Sequence, residues 1–254
     1  MDGYTVQIMA IRDLTSERLH VVGDLNAGQR LALSEDQAHY LLHVLRLSAG
    51  TPLLVFNGRD GEWRAEIRDV KKRGATLEIL ECVRAQTPIS NIDYLFAPLK
   101  RSRLDYMVQK AVEMGVSRLR PVITHRTIAE RINLERMRAN AIEAAEQCGV
   151  LNVPEVVEPV RLDKAIDGWG EGRALIFCDE SAAAEAPLNT LAALSHGPLA
   201  VLIGPEGGFD PVERDLLLSR PFVTPIWLGP RIMRADTAAV AALALVNATR
   251  GDWR

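Results

Sequence analysis

Two glycine- and proline-rich segments near the C-terminus hold the residue types that can do chemistry: Leu202-Ile-Gly-Pro-Glu-Gly-Gly-Phe209 and Leu228-Gly-Pro-Arg-Ile-Met-Arg-Ala-Asp-Thr-Ala238. Each follows an apolar run and precedes a helix-like pattern. Gly204, Gly207, Gly208 and Gly229 permit turns with positive φ and close approach of backbone to a ligand, while Pro205 and Pro230 stiffen those turns. A pair of such loops can form a cofactor pocket from backbone groups. A P-loop would need Lys followed by Ser or Thr, and a dinucleotide fold would need G-x-G-x-x-G near its start; neither pattern is present. The ionisable groups are Glu206 in the first loop and Arg231 and Arg234, three residues apart, in the second. Asp236 and Thr237 fall where the next helix should begin, and a plain reading of Asp236 is a helix cap.

Other reactive side chains offer less. Cys82, Cys148 and Cys178 are far apart and lack paired spacing, which argues against a disulfide framework and a zinc site. Cys148 follows two acidic residues at a helix end with no adjacent cation, a poor setting for a thiolate nucleophile. His39 and His43 lie four apart on one expected helix, but no third ligand accompanies them, so no metal is expected.

The elements that must position the two loops are legible from Ile92 onward. Apolar runs at Ile92–Leu99, Leu119–Thr124, Ala174–Cys178, Leu199–Ile203 and Val223–Leu228 alternate with helix-like stretches at Leu104–Met114, Leu134–Cys148, Leu188–Leu194, Val212–Ser219 and Ala235–Thr249. This predicts an α/β fold with a mostly parallel sheet and a ligand site at the C-terminal strand ends, where both loops fall. Upstream, short β-rich runs at Pro52–Phe56, Trp63–Ile67 and Ala75–Leu80, with one helix over Glu35–Leu47, read as a small barrel or sandwich. The polar stretch Ala85–Asn91 places a boundary near Pro88, giving domains over 1–88 and 89–254, with the first fifteen or so residues as a loose extension.

At 254 residues, 48% apolar and 25% charged, the composition is that of an ordinary globular protein. No apolar run is long enough to span a bilayer, so a cytoplasmic, membrane-free protein is expected. The net charge of −3 conceals a polarity: Pro98 to Arg138 holds ten basic and four acidic residues, whereas Val150 to Leu228 holds five basic and twelve acidic. A locally basic face suits an RNA partner.

The two loops, in order, spacing and position, resemble those of the SPOUT class of S-adenosylmethionine-dependent RNA methyltransferases, and most nearly the RsmE-type 16S rRNA uridine N3-methyltransferases. Gln109-Lys-Ala-Val-Glu-Met-Gly-Val116, Ala141-Ile-Glu-Ala-Ala-Glu-Gln-Cys-Gly149 and His39-Tyr-Leu-Leu-His-Val-Leu-Arg46, with Gly50 behind the last, are similar to further signatures of that family. One departure stands out: Ala235-Asp236 occupies the place of the family's usual Thr-Glu, which keeps a carboxylate on a shorter arm.

The resemblance implies a trefoil-knotted SPOUT domain after an N-terminal PUA-like barrel, with S-adenosylmethionine as cofactor. Leu202, Ile203, Gly204, Pro205, Gly207, Leu228, Gly229, Ile232, Met233, Thr237 and Ala238 would then bind the cofactor. Arg234 would stabilise the charge that develops on uridine, with Arg231 as the other arginine able to take that part, and Glu206 or Asp236 would accept the N3 proton. His43, Arg46, Lys100, Arg103, Arg126 and Arg231 would contact RNA of the small ribosomal subunit. A homodimer through the knotted domain, aided by the apolar stripe Ala238–Val246, completes the expectation. A SPOUT enzyme with another RNA target, a ribose hydroxyl or a tRNA base, and a non-catalytic ribosome-assembly module are the alternatives.

Overall fold

The computed structural model describes residues 16–71, 74–128 and 131–253, so the expected N-terminal extension lies outside the described residues. The chain divides into two compact units, Met1–Pro88 with Glu146–Asn152, and Ile89–Ala145 with Val153–Arg254.

In the first unit, strands β1 (Arg18–His20), β2 (Arg30–Ala32), β3 (Pro52–Phe56), β4 (Glu62–Lys71) and β5 (Gly74–Arg84) form one sheet in the order β1-β3-β4-β5-β2. Alternate residues turn Leu53, Val55, Ala65, Ile67, Leu77 and Ile79 into a common core with Leu19 and Leu41. Helix α1 (Glu35–His39) starts on a capping box in which Ser34 and Gln37 satisfy each other's backbone N–H groups. The helix expected over Glu35–Leu47 does not continue as α: Tyr40–Val44 is a π turn, and Arg46 sits at φ 58°. A non-glycine residue in that region carries a backbone cost, so the turn is held by its surroundings.

The second unit is a seven-stranded parallel sheet. Strands β6 (Ile92–Phe96), β7 (Arg118–Ile123), β8 (Glu155–Val156), β9 (Val160–Arg161), β10 (Ala174–Cys178), β11 (Leu199–Ile203) and β12 (Val223–Ile226) lie in the order β12-β10-β11-β6-β7-β8, with β9 also paired to β7. β6 and β11 are buried at every residue, which is why they read as runs rather than alternations, with Asp93 the one charged residue in them. Helices α2 (Arg101–Glu113), α3 (Leu134–Cys148), α4 (Leu162–Asp167), α5 (Pro187–Ala193), α6 (Pro211–Leu218) and α7 (Ala235–Arg250) complete the unit. The sequence reading missed β8, β9 and α4, because two-residue strands and a six-residue helix leave no periodic signal.

The apolar stripe of α7 is consumed inside the chain. Ala238, Ala239, Ala242, Leu243 and Val246 are buried where α7 packs on α2, α5 and β11, and Asn247 Nδ2 donates to Met114 O at 2.8 Å. That face of the stripe is therefore core, while Val240, Ala241, Ala244 and Leu245 remain half-buried. No helix among the described residues is long and apolar enough to cross a membrane.

Candidate functional site

A cavity of about 330 Å³ opens at the C-terminal ends of β10, β11 and β12. Its walls come from three consecutive strand-to-helix connections: Cys178 to Ser181, Ile203 to Phe209, and Ile226 to Ala235. In a parallel sheet these ends present backbone groups that the strands no longer pair, which gives a pocket polar contacts without polar side chains.

The first glycine-rich loop is shaped by packing. A Cβ added to Gly204 would lie 2.6 Å from the Phe209 ring, and that ring meets Phe177 edge-on at 5.1 Å, so only glycine lets the loop fold back over the strand. Gly208 N–H donates to Pro205 O at 2.9 Å and closes the turn. Asp210 then caps α6 with a reciprocal pair of bonds to Glu213. In the second loop Gly229 adopts φ 109°, a conformation closed to other residues, and turns the chain away from β12.

Of the residues expected at the cofactor, Ile203, Gly204, Pro205, Leu228, Gly229, Ile232, Met233 and Ala238 line the cavity. Leu202 does not: it is wholly buried in the core between the sheet and α6. Gly207 and Thr237 also lie outside the lining. Sequence reasoning missed Cys178, Asp179, Glu180 and Ser181, although the rule that ligands sit at C-terminal strand ends already pointed to the residues after β10. Asp179 is buried, accepts from the Ser181 N–H and pairs with Arg214 at 2.9 Å, tying β10 to α6. Withdrawal from water pushes the Cys178 thiol up to about 12, which disfavours a thiolate at this half-buried part of the wall.

The charged candidates divide by their partners. Arg231 and Arg234 line the cavity with exposed side chains. Arg234 is the N-cap residue of α7, in extended conformation, and its guanidinium, a donor that cannot accept from helix N–H groups, has no hydrogen-bond or ion-pair partner among the described residues. Asp236 is the second residue of α7 and accepts from the Thr237 N–H at 2.9 Å; the N-cap residue is Arg234, not Asp236, and Asp236 does not line the cavity. Glu206 lines the cavity and faces Arg103 at 3.7 Å.

The basic face expected over 98–138 is mostly spoken for within the chain. Arg118 and Arg120 turn to Asp93, Arg136 to Asp105, Lys110 to Glu113, Arg103 to Glu206, and Arg126 donates to Gly207 O at 2.7 Å. Lys100 stays exposed as the N-cap residue of α2. In the first unit His43 and Arg46 are exposed, and the His39 and His43 rings lie 5.1 Å apart.

An α/β unit with two glycine-rich loops at its parallel strand ends is the frame of an RNA methyltransferase, and comparison with known proteins agrees. The RNA methyltransferase domain family matches residues 85–247, and the RNA methyltransferase PUA domain family matches residues 33–80. The chain belongs to the RNA methyltransferase family of the RsmE type. It is 29% identical to ribosomal RNA small subunit methyltransferase E of Rickettsia conorii, across 91% of this chain and 94% of that one. The Synechocystis protein of the same name is 30% identical across 86% of this chain and 73% of its own. The crystal structure of the Neisseria gonorrhoeae ribosomal RNA small subunit methyltransferase E, bound to S-adenosyl methionine, superposes with a TM-score of 0.84 at 27% identity, covering 94% of this chain and all of that one.

Proposed function

We propose that the protein transfers a methyl group from S-adenosylmethionine to N3 of a uridine in 16S rRNA of the small ribosomal subunit. The observation that carries this reading is the cavity itself: two glycine-rich loops and apolar walls on one side, and two exposed arginines at the same opening. Such a site fits the methyl donor. Ile203, Ile226, Leu228 and Met233 offer flat apolar contact for an adenine, strand-end backbone offers donors and acceptors, and Glu180 and Glu206 offer negative charge to a cationic ligand.

Bound S-adenosylmethionine supplies an electrophilic methyl group on a sulfonium. The residues of this chain have two tasks, orientation and charge. Rigid loops hold the ligand for in-line attack, which replaces translational freedom with fixed geometry. Uridine N3 carries a proton in the neutral base, and its loss spreads negative charge over the flanking carbonyl oxygens. Arg234, whose guanidinium has no partner among the described residues, is assigned to those oxygens, with Arg231 beside it at the phosphates. Glu206, which lines the cavity, would take the proton directly or through water, and Asp236, outside the lining, only through water.

In this reading the first unit, with His43 and Arg46, docks RNA, and the second, knotted as the SPOUT resemblance implies, performs transfer. The domains divide at 88. The enzyme works in the cytoplasm as a homodimer, since SPOUT sites are completed across a subunit interface.

The test is product mapping. Small subunits lacking the mark, incubated with labelled S-adenosylmethionine and digested to nucleosides, should yield N3-methyluridine at a single site. Label on a ribose, on another base, or on tRNA would keep the methyltransferase class and overturn the substrate.

A further inference from the structure

The glycine-rich loop that walls the cavity is held from behind by the segment following β7. We propose that His125 and Arg126 are positioning residues for this methyl-donor loop, and that Arg126 is not part of the RNA-binding face. The proposal rests on the reading of the cavity as a donor site.

Arg126 lines no part of the cavity, yet its guanidinium donates to Gly207 O at 2.7 Å. Its stem lies along the loop as well: a Cβ on Gly207 would stand 3.6 Å from Arg126 Cδ and 3.7 Å from its Cβ. The neighbouring His125 fastens the loop's far end. Its backbone N–H donates to Glu213 Oε1 at 2.8 Å, and its ring Nδ1 meets the Asp210 carboxylate. Asp210 and Glu213 are the capping box of α6, bonded to each other's N–H groups at 2.8 and 3.3 Å. Each of the four carboxylate oxygens thus faces a partner within the chain, and the trio closes as a clamp.

The clamp has a firm base. Thr124 is buried, its N–H donates to Thr127 Oγ1 at 2.9 Å, and Thr127 N–H returns to Thr124 O at 3.1 Å. Val122 below it is in the core. Loop 204–210 is therefore pinned at β11, at Gly207 and at Asp210. A loop ordered before its ligand arrives does not lose that entropy on binding, so these contacts act on donor affinity without touching the donor.

The clamp is also sensitive to protonation. The hydrogen bond to Asp210, then its charge, then that of Glu213, hold His125 above its ordinary value, against Arg161 and a small loss of hydration. The ionic form of the clamp is complete below the usual histidine range and weakens as pH rises through the raised value.

Calorimetry of the full chain with S-adenosylmethionine, without RNA, tests this, paired with methyl transfer to small subunits. Arg126→Ala should weaken donor binding about tenfold, the scale of one charge-assisted bond, with Arg126→Lys recovering part of the loss. KM for small subunits should stay unchanged. His125→Gln should weaken donor binding at about pH 6, and its gap from wild type should shrink by about pH 9 as the native imidazole loses its charge. Equal donor affinity in wild type and Arg126→Ala, with a raised KM for subunits, would return Arg126 to the RNA face and overturn the proposal. A wild type that binds no S-adenosylmethionine would instead overturn the reading of the cavity, and the proposal with it.

Discussion

The two ends of the parallel sheet treat arginine in opposite ways. At the N-terminal edge Asp93, 1% exposed on β6, is met by Arg120 at 3.2 Å, Arg173 at 3.4 Å and Arg118 at 3.7 Å. These arginines have further employment: Arg173 donates to Asn91 O and Leu199 O, Arg118 to Glu155, and Arg120 lies 5.4 Å from the centre of the Trp169 ring. At the C-terminal edge Arg231 and Arg234 stand exposed at the cavity with no acidic partner among the described residues. An arginine saturated by its own fold holds strands in register; one left open has its donors available for a substrate's oxygens. The same residue type thus serves stability at one end and, in the proposed function, chemistry at the other, and the difference lies in the partners, not in the count.

The comparison is sharpest where it can be broken. Asp93→Ala removes the buried carboxylate shared by three guanidinium groups, of which only Arg118 keeps another acidic partner in Glu155, and should cost about 3–5 kcal/mol of unfolding free energy, read from the denaturant midpoint. A loss below about 1 kcal/mol would show that the N-terminal cluster is a surface network. Gly204→Ala forces the Phe209 ring out of its seat on the loop. Overpacking of this kind costs about 1–3 kcal/mol, and donor affinity should fall about tenfold or more while subunit binding holds. Asp236→Ala removes a first-turn carboxylate from α7 and should lower stability by about 0.3–1 kcal/mol. If it also abolishes transfer, the proton acceptor is Asp236. The smallest effect belongs to Cys178, which should resist alkylation by iodoacetamide at about pH 8 while exposed Cys82 is labelled.

Much of this contrast was legible before any coordinates. The alternation from Ile92 onward set out the parallel sheet because β6 and β11 are buried on both faces, and the glycine loops fell at strand ends because such turns need φ values and close approaches that glycine provides. Positions fixed by three-dimensional pairing were not legible. Nothing in the spacing of Arg118 and Arg120 shows that Asp93 absorbs both, or that Arg126 reaches 81 residues along the chain to Gly207. The resemblance put Leu202 at the cofactor, but strand alternation turns it into the core. The π turn at Tyr40–Val44 was hidden for a different reason: its apolar residues keep helical spacing while the hydrogen bonding changes.

The central claim is that the C-terminal edge stabilises developing charge on a nucleobase through an arginine the fold leaves free. The direct measurement is Arg234→Ala under single-turnover conditions, with saturating S-adenosylmethionine and small subunits, alongside donor affinity and the denaturation midpoint. The account predicts a rate lowered about 10²–10³-fold, the scale of losing one preorganised donor, with donor affinity and stability unchanged. A variant that transfers methyl at the wild-type rate, or one whose whole loss traces to weaker donor binding, would contradict it.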